Sequence, residues 1–304
     1  MVVGSLTTGT NTAGASINFD QTGGGGVTFT GPVRSGTNPG VNGGAITLTS
    51  DADIEIAAAS TVDSRGGTSG TLDVSGATIS GTVNVGAGNV IIQGGQLDTI
   101  IAGSLMGTGA INVTAVRDVI VRDTITTTSG DITITADTDN ISNMDALGDA
   151  QGGVLIEAAG LVSGSANVTI TGADLLNLGA ATGTVESVQI DADGLNTQID
   201  ADGNILVQSS AGAPAAADII VNGRVSADLT GTLMITANQD ARFGVNGDLT
   251  ANGGQITVTA DNATGNTGGL IFMADGALFT ANTAGRSEER RGGKECRCRG
   301  SPCP

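Results

Sequence analysis

The chain has 304 residues, 30 Asp and Glu against 12 Lys and Arg, a formal net charge of −18, 50 glycines, five Phe, and no Trp, Tyr or His. Without His there is no Ser-His pair and no His ligand for zinc, and without Trp or Tyr there is little to stack a sugar ring. So acidic a surface repels phosphate, which excludes nucleic acid as a partner and leaves no anchor on anionic lipid.

Residues 1–43 are rich in Gly, Thr and Asn, with two short candidate strands at 16–19 and 27–30, and Pro32 and Pro39 interrupt them. They are expected to be irregular first coils or a cut edge. From residue 44 a phrase recurs. It stands as Gly44-Ala45-Ile46-Thr47-Leu48-Thr49-Ser50-Asp51, then as Gly130-Asp131-Ile132-Thr133-Ile134-Thr135-Ala136-Asp137, and again as Gly254-Gln255-Ile256-Thr257-Val258-Thr259-Ala260-Asp261. Looser copies lie at 231–238 and 167–172. Strict alternation puts the aliphatics on one face of a strand and the threonines on the other. One such strand buries almost nothing; many of them stacked bury a continuous column.

Further runs follow at 53–57, 71–74, 77–85, 90–93, 97–101, 110–114 and 118–125, then at 154–158, 185–191, 205–208 and 218–221, and finally at 248–251, 270–273 and 277–280. The gaps hold Gly, Asn or Asp, as corners with positive φ require. Single helical turns are expected at 144–150 and 173–178. Without aromatic bulk the core must be narrow and filled by Ile, Val, Leu and Ala. A β-sandwich also uses short strands at this spacing, but with larger core residues and hairpin turns. The expected fold is all-β, a right-handed parallel β-helix (β-solenoid) over residues 44–285 with roughly 20 residues per coil; with the first coils included, residues 1–285 would give about 14 coils and a rod roughly 65 Å long.

The sharpest chemical pattern is Asp191-Ala192-Asp193-Gly194 with Asp200-Ala201-Asp202-Gly203. Alternating carboxylates before Gly offer hard oxygens on one loop face, as calcium requires. Neither copy completes an EF-hand loop, and Asp-Gly turn chemistry explains the same residues. Asp191, Asp193, Asp200 and Asp202 are thus the candidate metal ligands, for calcium; no other cofactor is expected. Arg117 and Arg122 near Asp118 and Asp123 are the one mixture of acids and bases in the body that a polysaccharide lyase or hydrolase could use; a cross-strand ion-pair ladder explains them better. Outward Thr-x-Thr pairs could order water on an ice-binding face, but they look few and scattered along the sequence.

Alternation stops at Arg286. Residues 286–304, RSEERRGGKECRCRGSPCP, hold six of the twelve bases, three of the thirty acids, and all three cysteines, Cys296, Cys298 and Cys303. Cys-x-Cys with one further Cys is a poor zinc pattern. The stretch resembles the peptide read from a short-read sequencing adapter in one frame, departing from it at Gly292, Cys298 and Gly300. It is expected to be an artefactual, disordered tail. No run reaches the roughly 18 apolar residues of a membrane span, and the N-terminus has no signal-peptide pattern, so the chain is expected to be a piece of a longer one.

The repeated Gly-x-Ile-Thr-x-Thr-Ala-Asp phrases, across most of residues 44–283, resemble the β-helical shafts of filamentous-haemagglutinin-type exoproteins and autotransporter adhesins of Gram-negative bacteria. That family's secretion motifs and translocator barrel are not visible here. The resemblance implies a secreted or cell-surface shaft without catalysis. Its partner would be a host or neighbouring-cell surface or a polysaccharide. No binding residue carries over, since shafts share no site.

Overall fold

In the computed structural model every element among the described residues is a strand, and the 33 strands form three parallel sheets of eleven. The structure describes residues 1–8, 16–21, 26–35, 46–50, 54–63, 72–75, 77–79, 82–84, 90–93, 98–115, 117–137, 152–173, 185–194, 196–210, 213, 217–262, 269–281 and 287–290. The helical turn expected at 144–150, residues 174–178 of the other, and the three cysteines lie outside them. Successive strands pass to sheets A, B and C in turn, and each pairs with the strand one coil earlier and one coil later. This is a parallel β-helix.

Alternation explains the interior. In sheet C, Ile111, Ile132, Val168, Ile205, Leu233 and Ile256 lie in register as one inward column, and Val113, Ile134, Ile170, Val207, Ile235 and Val258 as a second. All twelve are buried in the single long core. Sheet A adds Val119, Val154, Val188 and Ile219 beside Val121, Ile156, Ile190 and Val221. Sheet B contributes one large residue per strand followed, two positions on, by a small one, as in Ile199 with Ala201, Val225 with Ala227, and Leu249 with Ala251.

A coil of roughly 20 residues holds where nothing is inserted, as in the 21-residue step from Ile111 to Ile132. Corner insertions lengthen others to 28, 36 and 37 residues. The described strands therefore make eleven coils rather than 14, about 50 Å from first strand to last at the usual strand spacing. The first coils are more regular than expected. Val2–Val3, Leu6–Thr7 and Ile17–Gln21 already head sheets A, B and C. The expected runs 77–85 and 118–125 each divide at a corner, into Ala77–Ile79 and Thr82–Asn84, and into Val119–Val121 and Thr124–Thr127.

Ser287–Arg290, placed in the expected disordered tail, runs as the last strand of sheet C. Its register sets Ser287 and Glu289 at positions where all ten earlier strands carry Ile, Leu, Val or Phe. Pairing here follows from the open backbone edge of Ile256–Thr259, which takes any extended segment, and the body's apolar pattern stops at Val258.

Candidate functional site

The body's charge becomes legible at the corners. In nine described strands the residue just before the first inward position is Asp, Asn or Gln, and its side-chain oxygen accepts the backbone N–H of the equivalent residue one coil later. Before sheet A, Asp98 accepts from Asp118 at 3.2 Å, Asp118 from Gly153 at 2.8 Å, Asp218 from Asp240 at 3.0 Å, and Asp240 from Leu270 at 2.8 Å. Before sheet B, Gln198 accepts from Arg224 at 3.0 Å and Asp248 from Leu278 at 2.9 Å. Before sheet C, Asp131 accepts from Asn167 at 3.0 Å, Asn167 from Asn204 at 2.9 Å, and Asn204 from Thr232 at 2.9 Å. All of these N–H groups but that of Arg224, which opens its strand opposite a bulge, lie just outside the ladder proper, so the carboxylate or amide satisfies a donor the sheet leaves over.

The arginines work between coils as well. Arg117 grips Asp98 with two nitrogens, at 2.6 and 2.8 Å, and Arg122 meets Glu157 at 2.8 Å. Arg224 reaches Asp248 at 3.2 Å. Arg242 spans Asp218 and Asp240, at 2.8 Å each, and lies 5.0 Å over the ring of Phe272. The ion-pair ladder is therefore real, but Arg117 and Arg122 choose Asp98 and Glu157. Asp118 accepts the Gly153 N–H, and Asp123 takes the N–H of Thr124.

The four candidate calcium ligands fall at two places, one at each end of the sheet B strand Thr197–Ala201. Asp191 and Asp193 stand on the corner before it. Asp191 accepts Gln189 Nε2, and Asp193 accepts Asn196 Nδ2, both at 2.8 Å. Gly194 follows at φ 55°, an Asp-Gly turn. Asp200 sits on the strand's outer face and Asp202 on the turn beyond. Burial pushes the Asp200 carboxyl above the usual carboxylate range, and the charges of Asp228 and Asp202 push it further. Asp228 accepts Ser226 Oγ at 3.0 Å and Asn252 Nδ2 at 2.5 Å. Among the described residues no three of Asp, Glu, His or Cys gather closely enough to hold a metal ion.

The outer face of sheet C stacks threonines that are far apart in the sequence. Asn112, Thr133 and Thr169 form one outward column, and Thr114, Thr135 and Thr171 the next. Leu206 and Met234 interrupt the first before Thr257 resumes it. Outside sheet A, Ile120 and Leu155 form a small second apolar cluster against Ile100.

No protein-family model matches the chain, and neither a curated protein nor a solved structure gives a significant match. Sequence reasoning missed Asp98, Gln198, Asp218, Asp240 and Asp248 as inter-coil links, and Arg224 and Arg242 as their partners. Part of the signal was present, since Gln198, Asp240 and Asp248 each stand directly before the first apolar residue of a strand, whereas Asp98 precedes Thr99 and Asp218 follows Ala217.

Proposed function

We propose that the chain is a stretch of rigid shaft from a large secreted or cell-surface repeat protein of a Gram-negative bacterium, of the filamentous-haemagglutinin and autotransporter-adhesin type, acting as spacer and adhesive stalk without catalysis. The observation that carries this reading is where the acids go. Six aspartates (Asp98, Asp118, Asp131, Asp218, Asp240 and Asp248) hold the next coil through a backbone N–H, one after another along the rod. A glycoside-cleaving site needs two carboxyls facing one bond across a few ångströms, with one free to give a proton. Here the side-by-side pair Asp218 and Asp240 is bridged by Arg242 and each also accepts a backbone N–H of the next coil, the other acids of this set are spread along the axis, and four of the body's six arginines bind acids. Affinity would be spread over a long surface, and the Thr-rich outer face of sheet C suits a host or neighbouring-cell surface or an extended polysaccharide.

The test presents the purified chain to cells and to a panel of intact polysaccharides, reading retention alongside release of reducing ends and unsaturated uronate. Retention without product is expected. Time-dependent product from any polymer would mark a carbohydrate-active β-helix and end the shaft reading.

A further inference from the structure

The Thr-x-Thr pairs, scattered along the sequence, become an array once the coils are stacked. Six consecutive sheet C strands, from Ile111–Thr114 to Ile256–Thr259, pair in register without a shift, whereas sheet A bulges at Glu186/Val188 and sheet B at Thr197/Ile199. They present twelve outward positions in two columns, and eight of the twelve are Thr. Thr114, Thr133, Thr135, Thr169 and Thr171 form a block three coils deep with Asn112. Gln208 carries the second column on, its Nε2 donating to Thr171 Oγ1 at 3.2 Å, and Leu206 and Met234 break the first before Thr257. None of the twelve is charged, in a chain with 30 acids and 12 bases. Over the same coils sheet A turns Arg242 outward and sheet B turns Asp200 outward.

Thr is stiff at χ1, so each pair holds its methyl and hydroxyl groups in fixed places on a backbone ladder that does not bulge. The columns repeat about every 4.8 Å along the rod and stand about 6.6 Å apart across it. These spacings lie near the oxygen repeats on a prism face of hexagonal ice. A face without charge, regular in two directions, is complementary to a ligand surface that is itself neutral and regular in two directions. We propose that the outer face of sheet C binds ice, its hydroxyls and amides hydrogen-bonding to lattice water and its methyls resting in the hollows between. Each contact is weak, but a stiff array loses little freedom on binding and makes many contacts at once. This use of the face goes beyond the adhesive partner proposed for it and stands without the shaft reading.

The experiment grows ice on a chilled probe in a dilute solution of the full chain and measures the fraction that enters the ice, beside inhibition of recrystallisation in a frozen sucrose film. Wild type is expected to enter the ice and to hold grain size constant. Thr135→Lys and Thr171→Lys put a charge inside the block and should each lose both activities. Thr126→Lys, outward on sheet B in the same coil as Thr135, should keep both. Leu206→Thr combined with Met234→Thr closes the gap in the first column and should lower the concentration that holds the grains. Circular dichroism and melting temperature check that every variant keeps its fold. Wild type excluded from the ice, face variants as active as wild type, a Thr126→Lys loss as large as theirs, or a double variant weaker than wild type would each overturn the proposal. Retention on a polysaccharide by a chain that ice excludes would also overturn it, while leaving the adhesive reading in place.

Discussion

The side-chain oxygen of Asn167 accepts the backbone N–H of Asn204, 37 residues later in the chain and one coil along the rod, at 2.9 Å, while its own N–H and Nδ2 both donate to Asp131. One amide thus ties three coils. Asn167→Ala should lower stability by about 1 kcal/mol, the usual net worth of such bonds, and speed hydrogen exchange at Asn204. Asn167→Asp keeps the acceptor for Asn204 but loses the donor to Asp131 and sets two carboxylates together. At neutral pH it should be no better than Ala, and it should recover below about pH 4. Urea denaturation of the three proteins at two pH values decides this; an Asp variant as stable as wild type at pH 7 would show that the Asp131 contact is worth nothing.

The pair of Asp218 and Arg242 makes a different prediction. Burial raises the Asp218 carboxyl above its usual range despite the Asp240 N–H and Arg242, which pull it down, and the Asp240 carboxylate adds to the rise. Because the folded form takes up the proton more readily than the unfolded one, ionising Asp218 costs stability, and that cost fades as pH falls toward 3.8. Arg242→Ala removes the charge that offsets it and leaves two carboxylates side by side. The variant should lose about 1–2 kcal/mol at pH 7, less than a fully buried pair because Arg242 is partly exposed, and much less at pH 4. A loss equal at both pH values would mean that Arg242 acts through packing on Phe272 instead.

How much of this was legible beforehand depends on strand length. Sheet C strands of four or five residues, such as Ile132–Thr135, show two inward and two outward positions, enough for alternation to be read directly. Sheet B strands such as Leu105–Gly107 and Leu249–Ala251 show one large apolar residue and then Gly or Ala, too little to separate a strand from a turn. Their register becomes visible only when coils are stacked. The acids misled for a related reason. Asp98 and Asp248 count only as surface charge along the chain, because their partners Asp118 and Leu278 lie one coil away and no local pattern names them.

Asp200 tests the candidate calcium ligands. Its carboxyl is pushed upward by burial and by the like charges of Asp228 and Asp202, so its ionised form destabilises the fold. Asp200→Ser should therefore stabilise the protein at pH 7 by about 0.5 kcal/mol, the scale of a cross-strand like-charge contact, and the gain should fade as pH falls toward 3.8 and vanish well below it, where the carboxyl is neutral in both states. Calcium held by Asp200 and Asp202 would reverse the sign, with the wild type melting higher in millimolar calcium and the variant losing that rise. The expected result is a calcium-independent melting temperature in both, read by calorimetry.

Two glycines separate coil spacing from backbone conformation. A Cβ on Gly231 would stand 1.9 Å from the carbonyl oxygen of Gly203 in the coil before, and backbone cannot move aside there without parting the ladder around it. A Cβ on Gly194 would meet nothing within 4 Å, but the residue has φ 55°. Gly231→Ala should thus cost roughly 2–3 kcal/mol through overpacking, and Gly194→Ala about 1 kcal/mol through left-handed strain. Gly194→Asn should cost less than Gly194→Ala, because Asn tolerates that conformation, whereas no side chain should rescue position 231. Chemical denaturation of the three variants gives the order. If Gly231→Ala were as mild as Gly194→Ala, the close approach of the coils at Gly203 would not limit their spacing, and the tight corner would have to be explained by its turn alone.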